Sequence, residues 1–149
     1  MNSYDFTVKA QDGSNMNIAV RYYTRSGNTK KLAEAIANAI SVDAKDLSNP
    51  LEERVDVLFL GCSYYAFDVD AEVKRFINDN KEKIGKIVCF GTSAMMKSMK
   101  KPVSKVTEPL GIMVADEEFH CRGQFGKMHK DRPNMDDLNE ASAFAKKVR

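Results

Sequence analysis

The chain has 149 residues, of which 43% are hydrophobic and 30% charged, with a formal net charge of +2. That length and balance suit one globular domain, and they exclude a disordered chain. No apolar run approaches the ~20 residues that a membrane span needs, and the start lacks the basic-then-apolar layout of a secretory signal, so a cytoplasmic protein without membrane contact is expected.

Residues 1–15 are polar and read as an N-terminal extension, with the compact domain expected over residues 16–149. Within them Tyr4, Phe6 and Val8 alternate with polar residues. A short edge strand and a loosely docked tail both fit that pattern. Next, Ile18-Ala19-Val20-Arg21-Tyr22-Tyr23 is apolar and rich in β-formers, a first core strand. Leu32, Ala33, Ile36, Ala37 and Ile40 then recur at helical spacing, with Lys30, Lys31, Glu34 and Asn38 on the other face.

Between strand and helix lies Thr24-Arg25-Ser26-Gly27-Asn28-Thr29. A strand-to-helix turn leaves backbone N–H groups unpaired at the positive end of the helix dipole, where an anion is favoured. Thr24, Ser26 and Thr29 add hydroxyl donors, and Gly27 lets the backbone approach closely. Capping alone would use one such side chain. Four hydroxyl or amide side chains in six positions point instead to a phosphate.

Ser41-Val42-Asp43-Ala44 is a weak second strand, followed by a polar loop through Asn49 and Pro50. Val55 to Gly61 is nearly continuous in apolar residues, as in a strand buried on both faces. Val69, Val73, Phe76 and Ile77 mark a second helix, and Lys86 to Thr92 a fourth strand. Met99 to Ile112 is helical in pattern, with Pro102 in the first turn and Pro109 as a kink or early stop. Val114-Ala115 and Glu118 to Cys121 give the last strand. Leu138, Ala141, Ala145 and Val148 stripe a final helix whose first turn carries Asp136 and Asp137. This alternation predicts an α/β fold, a doubly wound five-stranded parallel sheet with helices on both faces.

In such a sheet the segments after the first, third and fourth strands share one edge. The second of these, Ser63-Tyr64-Tyr65-Ala66-Phe67, sets three aromatics in a loop, suited to stacking on a flat ring. The third, Thr92-Ser93-Ala94, is small enough to let amides reach a ring edge. Packing of the helix entry accounts for one of the aromatics.

The segment Thr24 to Thr29 resembles the phosphate loop of the flavodoxin family, whose pattern is Ser/Thr-x-Ser/Thr-Gly-x-Ser/Thr. Gly61 to Ala66 and Gly91 to Ala94 are similar to its second and third flavin loops, and Arg132 to Leu138 to its approach to the last helix. The likeness covers roughly residues 16–149, in the short-chain form. It implies a flavodoxin-like fold, non-covalent FMN and electron transfer between protein partners. It also implies that Thr24, Arg25, Ser26, Gly27, Asn28 and Thr29 hold the phosphate. Ser63, Tyr64, Tyr65 and Ala66 would border the ring, with Tyr65 against it and Tyr64 as the alternate, and Thr92, Ser93 and Ala94 would meet its polar edge. No catalytic residue is required.

Two features depart from the usual family pattern: the pI near 8.4, and the absence of glycine from Tyr64 to Asp68. An FMN-dependent NAD(P)H:quinone-type oxidoreductase on the same fold is therefore the second reading, and a flavin-free interaction module the third. Lys97, Lys100, Lys101 and Lys105 form either a solvated face or a dock for an acidic redox partner. No aromatic-and-basic stripe accompanies them, so nucleic acid is not indicated. Cys62, Cys89 and Cys121 have no Cys-x-x-Cys spacing, and with two histidines neither a disulfide framework nor a metal centre is indicated. Oligomeric state is not legible.

Overall fold

The computed structural model describes residues 7–9, 15–63, 69–92, 98–123 and 131–148. In chain order its strands are β1 (Thr7–Lys9), β2 (Asn15–Tyr22), β3 (Ala44–Asp46), β4 (Val55–Ser63), β5 (Ile84–Thr92) and β6 (Met113–Cys121). Its helices are α1 (Asn28–Ala39), α2 (Ala71–Asp79), α3 (Lys100–Thr107) and α4 (Met135–Val148). Five strands are parallel, in the order β3-β2-β4-β5-β6. This is the doubly wound arrangement expected from the alternating pattern. β1 adds an antiparallel pairing, Thr7–Lys9 against Asn15–Asn17, so the sheet has a sixth strand and part of the extension is an edge strand. Tyr4 and Phe6 lie outside the described residues.

The continuous apolar runs serve two faces at once, because successive strand residues point to opposite sides. Ile18, Val20, Val57, Phe59, Val88 and Phe90 pack with Leu32 and Ile36 of α1 and Ala141 and Ala145 of α4. Ala19, Leu58, Leu60, Ile87 and Cys89 pack with Val73, Phe76 and Ile77 of α2 and Val103 of α3. Each large aliphatic side chain fully buried this way contributes about 1.5–3 kcal/mol. That outweighs local propensity, and the apolar stripes therefore located the helices well.

Two elements differ from the reading of the sequence. The second strand begins at Ala44 rather than Ser41. Residues 41 and 42 instead close α1: Ser41 takes φ 61°, its N–H reaches Asn38 O at 3.4 Å, and Val42 N–H reaches Ala37 O at 3.0 Å. This left-handed closure satisfies two terminal carbonyls of the helix. The last strand is continuous across Asp116 and Glu117. Its register against β5 slips between Val114↔Ile87 and Glu118↔Cys89, so the polar interruption is a bulge. Pro102 lies in the first turn of α3, and Pro109 falls in a 3-10 turn, Glu108–Leu110, that ends the helix.

Arg21 is a fully buried charged residue of β2. Its Nε donates to Asn49 O at 2.9 Å and its guanidinium also reaches Val20 O and Pro50 O, at 3.1 and 3.4 Å. A buried guanidinium must be hydrogen-bonded. Here it fastens the loop before β4 to β2.

Candidate functional site

The carboxyl ends of β2, β4 and β5 are aligned by register. Tyr22 pairs with Gly61, Gly61 with Phe90, and Ser63 with Thr92, while Tyr23 N–H donates to Gly61 O at 2.9 Å. The three segments singled out in the sequence therefore leave the sheet at one edge. This is the point where the chain order reverses, since β2 has β3 on one side and β4 on the other.

At this edge Gly27 caps α1 with φ 90°, a left-handed conformation natural to glycine. Gly27 has no side chain with which to cap the helix, and the first turn holds no acidic residue. Thr24 Oγ1 accepts the Gly27 N–H at 2.9 Å, which folds the loop back on itself. Ser26 is exposed, as are Lys30 and Lys31. Thr29 is fully buried, and its hydroxyl shares a 3.1 Å hydrogen bond with Thr92 Oγ1. Thus Ser26 offers its hydroxyl outward, whereas Thr29 joins α1 to β5. A positive helix end whose first turn holds no carboxylate, a glycine turn and exposed hydroxyl and ammonium groups form a donor set that fits a phosphate.

Arg25 Nη2 meets Asp70 Oδ2 at 2.5 Å. The other oxygen of Asp70 accepts the Glu72 N–H at 3.1 Å and so caps α2. Burial alone would raise the Asp70 carboxyl. The hydrogen bonds from Arg25 and from the Glu72 and Ala71 amides outweigh it and hold the group below its usual value. Gly123, just beyond β6, packs against the same corner. A Cβ there would come within 2.9 Å of Thr92 Cβ and 3.0 Å of the Asn28 amide nitrogen. Neither Asp70 nor Gly123 was a candidate from sequence. An Asp two residues before a Glu at a helix start is a capping signal, but nothing local in the sequence ties it to Arg25.

Tyr64, Tyr65, Ala66, Ser93 and Ala94 lie outside the described residues, as does Lys97. Lys100 pairs with Asp116 across α3 and β6, while Lys101 and Lys105 are exposed. Glu118, in β6, accepts the Met99 N–H at 2.8 Å and the Ser98 hydroxyl at 2.7 Å. Cys62 is buried against Met99, with 3.5 Å between the sulfurs, and burial pushes its thiol up to about 12. Cys89 is buried too and its thiol is likewise pushed up. Both are core side chains.

The chain is an α/β protein with a doubly wound parallel sheet, and the start of α1 lies at the carboxyl ends of its strands, at the switch point. The family described as Flavodoxin domain matches residues 19–134. The chain belongs to the flavodoxin family, whose cofactor is FMN. An uncharacterized protein of Methanocaldococcus jannaschii is 29% identical over 140 residues, covering 81% of this chain and 89% of its own length. A flavodoxin of Clostridium beijerinckii is 34% identical over 83 residues, 48% of this chain and 60% of that one. Among solved structures, a flavodoxin from the domain Archaea superposes with a TM-score of 0.71 at 18% identity, over 88% of this chain and 94% of that one. Among the described residues no helix is long and apolar enough to cross a membrane.

Proposed function

We propose that this chain is an FMN-binding electron-transfer protein, with the cofactor phosphate in the loop Thr24 to Thr29. The observation that carries the reading is the start of α1 behind the left-handed Gly27, with no acidic residue in its first turn, at the edge shared by β2, β4 and β5. Bound FMN supplies the redox chemistry, and the protein supplies binding, orientation and local charge. In this reading the α1 first turn and the exposed Ser26 hydroxyl face the phosphate, and Lys30 and Lys31 add positive charge. Thr24 keeps the loop folded through Gly27, and Thr29 and Thr92 hold the loop to the sheet. Tyr65, with Tyr64 as alternate, excludes water from the ring, and Ser93 and Ala94 border its polar edge.

The exposed Lys101 and Lys105 on α3 are offered to an acidic redox partner, so complex formation slows as salt is added. No nucleophile or acid–base pair enters this function, and the alternative is an FMN-dependent NAD(P)H:quinone-type oxidoreductase. One set of measurements separates them. The purified protein is titrated with FMN and with riboflavin, and its oxidation of NADH and NADPH is then followed with quinone acceptors. A carrier binds FMN much more tightly than riboflavin and turns over only when a flavoprotein reductase is added. Turnover alone above roughly 1 s⁻¹ is ordinary enzyme behaviour and establishes the oxidoreductase. Equal affinity for the two flavins places the phosphate elsewhere.

A further inference from the structure

We propose that Arg25 and Asp70 form a clasp that sets the shape of the loop Thr24 to Thr29 by tying it to the start of α2. Arg25 then acts as a positioning residue for cofactor binding rather than as a ligand of the phosphate, an inference that rests on the proposed function for its ligand. Arg25 sits between Thr24, which accepts the Gly27 N–H, and the exposed Ser26. Its guanidinium bridges 45 residues of sequence to Asp70 at 2.5 Å. The Asp70 side chain is 9% exposed against 57% for Arg25, and its second oxygen is committed to the Glu72 N–H. The carboxylate cannot follow the loop without uncapping α2, so it is the fixed end of the pair and the loop the end held.

The opposite role would also place an arginine here. A guanidinium close to a phosphate attracts it directly, and Asp70 would then be a competitor that screens the charge. The two roles give opposite signs for one substitution. Asn caps a helix as well as Asp does, so Asp70→Asn removes the ion pair and keeps the α2 cap. If Asp70 screens Arg25, the variant binds FMN more tightly. If the pair is a clasp, it binds FMN more weakly.

The experiment measures FMN affinity for the wild type, Arg25→Gln, Asp70→Asn and the double variant. Hydrogen exchange of the Gly27 amide is followed in the ligand-free proteins. The clasp predicts that each single variant loses about two- to fivefold in affinity, the range of a pair exposed on one side. The double variant loses no more than either single one, Gly27 exchange quickens in both singles, and Arg25→Lys restores part of the loss. Tighter binding by Asp70→Asn, loss in one single variant only, or unchanged affinity in both overturns the proposal. Should the wild type not bind FMN, the proposed function fails by itself. Gly27 exchange then decides the clasp: faster in both single variants upholds it, and unchanged overturns it.

Discussion

Thr29, in the first turn of α1, and Thr92, the last residue of β5, share a hydrogen bond of 3.1 Å in the protein interior. The two belong to different elements at the candidate site, and this contact ties the start of α1 to the end of β5. Losing this hydrogen bond costs about 0.5–1.5 kcal/mol, and the cost is incurred only once when both hydroxyls are removed. Thr29→Val and Thr92→Val each lower the urea midpoint, and the double variant lies above the additive expectation. Strict additivity would show that the contact does not couple the two elements.

The same burial separates two hydroxyls that look alike in the motif. Ser26 is exposed and Thr29 is not. Ser26→Ala weakens FMN binding about tenfold, the scale of a hydrogen bond to a charged group, and leaves riboflavin binding nearly unchanged. Thr29→Val has the smaller selective effect. Parallel titrations with both flavins check this, and a larger selective loss at Thr29 would mean its hydroxyl turns to the phosphate.

Gly123 leaves no room for a side chain beside Thr92 and Asn28. Gly123→Ala forces the buried end of β5 or the Asn28 amide to shift, with overpacking costs of about 1–3 kcal/mol. A lower melting temperature and weaker FMN binding are expected together. Unchanged values of both would show that the corner accommodates a methyl group.

The start of α4 makes the fold sensitive to acid. Asn134 Oδ1 accepts the Asp137 N–H at 3.0 Å and Asp137 Oδ2 accepts the Asn134 N–H at 2.8 Å, while Arg132 donates twice to the same carboxylate, at 2.5 and 2.7 Å. Burial would raise the Asp137 carboxyl, but Arg132 and the Asn134 N–H hold it below its usual value, as Arg25 and the Glu72 and Ala71 amides do for Asp70. Ser48, through its hydroxyl and its amide, does the same for Asp46. A carboxyl depressed by folding contributes stability that is present above its unfolded value, 3.8, and is lost as pH falls through the folded value. The urea midpoint therefore drops below about pH 4, and Asp137→Asn flattens that drop. A midpoint that stays level from pH 7 to 3 would refute it.

Ser41 closes α1 with φ 61°, a conformation that costs a residue with a Cβ about 1 kcal/mol. Ser41→Gly removes that cost but loosens the unfolded chain, for a net gain of about 0.5 kcal/mol. A lower melting temperature for this variant would show that the Ser41 side chain makes a contact worth more than the strain.

The order of the elements and the two-faced core were legible in the sequence because they rest on periodicity. Apolar residues at i, i+3, i+4 and continuous runs such as Val55 to Gly61 announce burial without reference to the rest of the chain. The turn from β2 into α1 was legible because Thr24 to Thr29 is contiguous, and a turn before a helix has one backbone chemistry wherever it occurs. The boundary at Ser41 was not, since whether a residue closes a helix or opens a strand depends on its φ. The break at Asp116 and Glu117 read as an interruption because only pairing with β5 shows that the extra residues bulge while the strand continues. What the tertiary structure alone decided is which polar side chain faces which. Thr29 turned inward to Thr92, Arg25 met Asp70 45 residues away, and Gly123 closed on Asn28. Such contacts depend on the register and packing of distant segments, and the identities of neighbouring residues carry no trace of them.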